Sequence, residues 1–298
     1  MVNLSTTYLN PQIVSQLNNL SLRAKLVVEG FIAGLHRSPY HGFSVEFAEH
    51  RAYGPGDEIR HVDWKLFGKT DRYYVKQFEE ETNLKCYLLV DQSRSMTFDS
   101  HGLSKLTYAQ TLAASLSYLM LKQRDAIGLA LFDSQLRHYL PPRSKPGHLN
   151  TVLSQMAKIK PGPETLIAPV LHQLAETIVK RGLIILISDL FDDPEEVLLG
   201  LRHFRHKNHE VVVFHLLDPE ELDFSYSRRT RFRDMESGEV ITTEPWHIQK
   251  EYRRYIKKFI EHYRTQCRKQ NIDYLQITTN HSLDRALSEY LIKRRHAA

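Results

Sequence analysis

Three separated stretches of this 298-residue chain place oxygen-bearing side chains where a hard metal ion could be held. Asp91-Gln92-Ser93-Arg94-Ser95 sets an aspartate and two serines at alternating positions just past an apolar run, so three oxygens can converge on one point. Thr165 closes the Pro161-Gly162-Pro163-Glu164-Thr165 turn ahead of a helical pattern, and Asp189 directly follows the apolar run Leu183 to Ser188. Five hard oxygen donors form a magnesium-type set, because Mg²⁺ takes near-octahedral oxygen coordination, keeps several waters and uses few direct carboxylates. The expected division of labour has Ser93, Ser95 and Thr165 supplying hydroxyls, while Asp91 and Asp189 orient waters and supply negative charge; Mn²⁺ or Ca²⁺ would suit the same donors. The position left open on such an ion favours a carboxylate from another molecule, which amounts to metal-dependent protein binding.

Other constellations give less. Ser93 and Ser95 have no activating histidine close in sequence, His101 lies in a glycine-containing loop, and two-metal phosphoryl chemistry needs more direct carboxylates. The sequence thus makes no positive case for an enzyme. Gly54-Pro55-Gly56-Asp57-Glu58-Ile59-Arg60 lacks the Gly-Lys-Ser/Thr of a phosphate loop. Its Asp57 and Arg60 are expected to form, with Asp63, an internal ion-pair lattice anchored by Trp64. His203, His206 and His209 fall near a helix end among Arg202, Arg205 and Lys207, where cations suit the helix dipole. Asp192-Asp193-Pro194-Glu195-Glu196 has the carboxylates and proline of a helix start.

The elements that must position the oxygens follow from periodicity. Apolar runs at Leu84 to Val90, Ala126 to Phe132, Leu183 to Ser188, Val211 to Leu217 and Tyr274 to Thr278 are expected strands. Helical patterns alternate with them at about 104–123, 147–158, 166–181, 194–207 and 282–295. Repeated strand-helix-strand with nearly all-apolar strands implies an α/β, doubly wound, mostly parallel sheet covered on both faces. In such a sheet ligands bind beyond the carboxyl ends of the strands, where the Asp91 and Asp189 loops must lie. Residues 1–80 are expected to form a small helical and short-strand module: Asn10-Pro11 begins one helix, Leu26 to Leu35 continues the pattern, and Phe43, Val45 and Phe47 alternate as a strand. Residues 81–298 form the α/β domain with an insertion at about 221–270, in which 223–244 reads as an irregular hairpin and Trp246 to Lys269 as a long basic helix.

The apolar fraction of 42% and charged fraction of 25% are ordinary for a globular protein. The net charge of +5 falls entirely in residues 221–298, which hold sixteen basic and eleven acidic side chains. No basic residue precedes Arg23 and no apolar run approaches the ~20 residues that span a bilayer, so the expectation is a cytoplasmic protein without a membrane span. Cys86 and Cys267 are then free thiols.

The Asp91, Ser93, Ser95, Thr165 and Asp189 set resembles the metal-ion-dependent adhesion site of the von Willebrand factor A domain. Upstream, Phe47, Arg51, Tyr53, Gly56-Asp57, Arg60, Val62-Asp63-Trp64, Tyr74-Val75-Lys76 and Phe78-Glu79-Glu80, together with Ser95-Met96, resemble the bacterial domain-of-unknown-function family fifty-eight. That resemblance implies a von Willebrand factor A-like, Rossmann-type fold and a MoxR-type AAA+ ATPase partner, hence a role in assembling, remodelling or activating a carboxylate-bearing client protein. Two alternatives stay open: a nucleic-acid-associated protein using the basic region 228–269, and a metal-dependent hydrolase.

Overall fold

The structure is a computed structural model that describes residues 11–17, 19–35, 51–52, 68, 73–75, 84–145, 147–162, 166–233, 239–284 and 286–288. In chain order the elements are α1 (Pro11–Ser15), α2 (Leu20–Leu35), β1 (Arg51–Ala52), β2 (Tyr74–Val75), β3 (Lys85–Asp91), α3 (Lys105–Lys122), β4 (Ala126–Phe132) and β5 (Leu136–Arg143). There follow α4 (Gly147–Ala157), α5 (Ile167–Thr177), β6 (Leu183–Ser188), α6 (Pro194–His206), β7 (Glu210–Leu217), α7 (Pro219–Asp223), β8 (Thr230–Arg233), β9 (Val240–Thr243), α8 (Pro245–Lys269) and β10 (Asp273–Thr278). The expected strand at Phe43 to Phe47, the Asn10 cap and the lattice of Asp57, Arg60, Asp63 and Trp64 fall outside the described residues. The antiparallel pair β1 and β2 is what is described of the short-strand part of residues 1–80.

A six-stranded sheet in the order β10-β7-β6-β3-β4-β5 forms the centre, parallel except for β5, which runs antiparallel to β4. The expected mostly parallel, doubly wound α/β fold is therefore the observed one. Successive side chains of a strand point to opposite faces, and β3 divides on that period. Cys86, Leu88 and Val90 join one core with Val27, Val28 and Phe31 of α2 and Leu112, Leu116 and Met120 of α3. Tyr87 and Leu89 join the other with Val170 and Leu174 of α5, Leu201 and Phe204 of α6, and Tyr263 and Cys267 of α8. Strands buried on both faces must be apolar throughout, which is why their runs stood out in the sequence. The N-terminal helices belong to this same first core, with Val14 and Ala24 buried in it. Cys86 and Cys267 form no disulfide and are buried on opposite sides of the sheet.

Among the expected elements, α5 stops at Thr177 rather than near 181. The helix anticipated at 282–295 is described only in part, with residues 283–284 and 286–288 helical and Leu283, Ala286 and Leu287 buried in the first core. Strand β5 was not anticipated: it is an edge strand, half-exposed along its length, and it contains Pro141 and Pro142, which offer no N–H to a ladder. The insertion is a hairpin, β8 on β9, followed by the 25-residue helix α8. Phe224 stacks on Tyr252 at 4.4 Å and on Phe232 at 5.3 Å, so the hairpin is pinned to α8 by aromatic rings.

Tight packing at the start of β6 offers a test. A Cβ on Gly182 would lie 2.2 Å from the carbonyl oxygen of Lys85 in β3, and the Gly182 carbonyl accepts from Glu210 N at 3.0 Å. Gly182→Ala should therefore destabilise the fold by about 1–3 kcal/mol through overpacking. A lowered urea midpoint at constant slope is the expected reading, and an unchanged midpoint would show that the strand ends yield freely.

Candidate functional site

Strand order reverses at β3: the next strand, β4, lies on one side of it, and β6, β7 and β10 extend from the other. A crevice opens at such a reversal, beyond the carboxyl ends of the two central strands. Asp91 is the last residue of β3, Val90 before it pairs with Ile187 of β6, and Asp189 directly follows β6.

The Asp91 loop is folded by its own hydrogen bonds. Asp91 Oδ1 accepts from Ser93 N at 2.8 Å, and Oδ2 accepts from the Ser188 hydroxyl at 2.6 Å. That turn carries the Ser93 hydroxyl to 3.0 Å from the Ser95 hydroxyl. Asp91, Ser93 and Asp189 are buried, and the half-buried Ser95 is the member of the group nearest solvent. Burial first, and then the neighbouring Asp189 charge, pushes the Asp91 carboxyl up to about 7, against hydrogen bonds from Ser188 and Ser93 that favour its ionised form. Two adjacent buried carboxylates beside two converging hydroxyls form a donor set that fits a hard divalent cation. Among the described residues no group of three or more His, Cys, Asp or Glu is arranged to hold a metal. An ion here would accordingly rest on hydroxyls, waters and the two carboxylates.

Four of the five expected site residues are thus brought together, and Thr165 lies outside the described residues. Both flanks of its turn are tied to the other two loops. Gly162 N donates to the Gln92 carbonyl at 2.9 Å, and Ile167 N donates to Asp192 Oδ2 at 2.7 Å. The acidic run 192–196 therefore serves two helices: Asp193 caps α6, accepting from Glu195 N at 2.9 Å, while Asp192 takes the first amide of α5.

A match to the family described as "Protein of unknown function DUF58" covers residues 49–266. The chain belongs to the DUF58 family. Uncharacterized proteins of Mycobacterium bovis and Mycobacterium tuberculosis are each 27% identical to it over 234 residues, or 78% of this chain and 73% of theirs. Among solved structures, BatB from Bacteroides thetaiotaomicron aligns with 70% of this chain and 98% of its own at a TM-score of 0.50 and 18% identity. An aerotolerance-related membrane protein from Bacteroides fragilis aligns over 70% and 99% at a TM-score of 0.50 and 19% identity. At these identities the likeness concerns the fold alone. No helix among the described residues of this DUF58 chain is long and apolar enough to cross a membrane.

Beside the oxygen cluster the DUF58 chain buries an ion network that no motif announced. Lys105, the first residue of α3, is completely buried, with Nζ 2.7 Å from Asp189 Oδ2, 2.5 Å from Glu221 Oε1 and 4.9 Å from the centre of the Phe191 ring. Its two carboxylates hold the ammonium above its ordinary range against a large desolvation penalty, and burial pushes the Glu221 carboxyl up to about 7. Glu221 in turn accepts from Asp218 N at 2.7 Å in the capping box of α7, and Asp218 accepts from Ser100 N at 3.2 Å and from the Ser100 hydroxyl. His215 of β7 is buried behind Asp189, its Nε2 2.9 Å from the Asp189 carbonyl and its Nδ1 2.5 Å from the Tyr274 hydroxyl. Burial lowers this imidazole to about 4, so it sits there neutral. One sequence signal could have found Lys105: a cation at the first position of a helix opposes the helix dipole and needs a compensating anion.

Replacing Lys105 by Met would leave Asp189 and Glu221 buried without their cation, and should cost about 3–5 kcal/mol of stability. In a double-mutant cycle by urea unfolding, Lys105→Met with Glu221→Leu should cost clearly less than the two single changes added together. Strict additivity would show that the two residues act independently.

Proposed function

We propose that this DUF58 chain is a metal-dependent, protein-binding adaptor built on a von Willebrand factor A-like domain. The observation that carries this reading is the convergence of Asp91, Ser93 and Ser95 at the end of β3 with Asp189 beside them at the end of β6. Ser93 and Ser95 would offer direct hydroxyl ligands and Thr165 a third, with Asp91 and Asp189 holding the surrounding waters. When bound, Mg²⁺, or Mn²⁺ or Ca²⁺ in its place, supplies a Lewis-acidic position suited to a partner's carboxylate. Lys105 keeps the charge of Asp189 partly compensated within the protein, so the site is less anionic than its carboxylates alone would make it. This reading makes the protein a binder rather than an enzyme. The resemblance to von Willebrand factor A adhesion sites and to families paired with MoxR-type AAA+ ATPases supplies the partner class, and a cytoplasmic place of action goes with it.

Mn²⁺ titration of the purified chain, followed by paramagnetic resonance, should show one site that Asp91→Ala removes and that Asp189→Asn weakens about 10–100-fold. Capture of native partners should depend on Mg²⁺, fail in EDTA and fail with Asp91→Ala. Capture unchanged under all three conditions would overturn the adaptor reading, and turnover of a generic ester or phosphodiester abolished by Asp189→Ala would replace it with a hydrolase.

One observation favours a second reading. On α8 the exposed Lys250, Arg253, Lys257, Arg264 and Arg268 recur at helical spacing along one side, starting from the exposed Trp246, with Glu261 in the same row paired to Arg264. A predominantly cationic row about 30 Å long, at 1.5 Å rise per residue, suits a nucleic-acid backbone. Oligonucleotide binding that falls steeply with added salt, persists in EDTA and is lost on reversing Lys250 and Lys257 to Glu would establish it.

A further inference from the structure

A cleft of about 430 Å³ opens beside the Asp91 to Ser95 loop, lined by Gln92 and Gly162, by Asp133, Arg137 and His138, and by Lys158 and Lys160 just past the end of α4. Its volume falls within the roughly 300–1,000 Å³ of ligand sites. We propose that this cleft is the docking site for an acidic, Asp- or Glu-bearing peptide segment of the client, adjoining the position that takes a single carboxylate; the inference rests in part on the adaptor reading above.

Two features support it. The first is position: Gln92 stands between Asp91 and Ser93, its carbonyl accepts from Gly162 N at 2.9 Å, and its side-chain amide reaches Asp133 Oδ2 at 3.5 Å. The cleft and the candidate metal loop therefore share the backbone at Gln92. The second is charge. Asp133 is buried and already held by Arg137, whose Nε lies 2.9 and 2.7 Å from its two oxygens. Lys158 and Lys160 are exposed and make no ion pair among the described residues, which leaves the cleft with an excess of positive charge.

The same geometry disfavours a phosphate. Arg137 is tied to Asp133 through Nε, the Gly162 amide is committed to Gln92, and the two lysine ammonium groups offer flexible point charges rather than an amide cradle. Several carboxylates spaced along one chain match point charges of this kind.

The test is fluorescence anisotropy of the full chain with a fluorescein-labelled peptide of alternating glutamate and glycine, with its glutamine counterpart as control. The double change Lys158→Glu with Lys160→Glu should weaken the glutamate peptide about tenfold or more, in Mg²⁺ and in EDTA alike, while leaving Mn²⁺ affinity and the urea midpoint unchanged. Asp91→Ala should remove only the part of the affinity that depends on Mg²⁺. If the wild-type chain takes up no Mn²⁺, the adaptor reading fails, yet EDTA-resistant peptide binding that the double reversal abolishes would still sustain the cleft. The proposal is overturned by a wild-type chain that ignores the glutamate peptide, by equal affinity for the glutamine peptide, or by indifference to the double reversal. Tighter, reversal-sensitive binding of a single-stranded oligonucleotide would overturn it equally, by assigning the cleft to nucleic acid.

Discussion

Two carboxylates, Asp91 and Asp189, are buried side by side where the strand order of the sheet reverses, and much of the surrounding structure compensates for them. Adjacent like charges away from water are unfavourable unless each finds a counter-charge or a hydrogen-bond donor. Asp91 takes the Ser93 amide and the Ser188 hydroxyl, and Asp189 takes the Lys105 ammonium. A divalent cation would complete the compensation on the side where the serine hydroxyls converge. The site and its internal counter-ion therefore belong to a single electrostatic problem.

Its solution extends beyond the sheet. Lys105 starts the helix that covers one face, and its second partner, Glu221, belongs to the short helix from which the inserted hairpin departs. Ser100 joins the same region through Asp218. The loop after β3, the loop after β6 and the base of the insertion are thereby linked through buried charge, a type of interaction whose rupture is costly. The aromatic stack of Phe224, Phe232 and Tyr252 then fixes the hairpin against α8. A change in the charge at Asp189 is thus felt by the segment that carries the insertion.

The strongly periodic parts of the chain were legible without coordinates. The strands Ala126–Phe132 and Leu183–Ser188 coincide with their apolar runs, since a central parallel strand covered by helices on both faces admits almost nothing polar. The Asp91 to Ser95 string was legible for a local reason: residues two apart in a turn can converge through their own backbone hydrogen bonds, here from Ser93 N to Asp91. Strand β5 was hidden because an edge strand is half-exposed, and its Pro141-Pro142 pair reads as a breaker. Asp192 looked like part of the α6 start, and only the folded chain shows it capping α5, 25 residues earlier in sequence.

By itself the amino-acid sequence determined the alternation of apolar strands and amphipathic helices, the fold class that follows from it, and the local turn of the first oxygen cluster, because each depends on neighbours within a few residues. Tertiary structure alone decided that Lys105 meets Asp189 and Glu221 across separations of 84 and 116 residues, and that Gln92 and Gly162 join the cleft to the candidate site. Such partnerships depend on which strand ends lie side by side in the sheet, and strand order is set by global packing rather than by any local pattern.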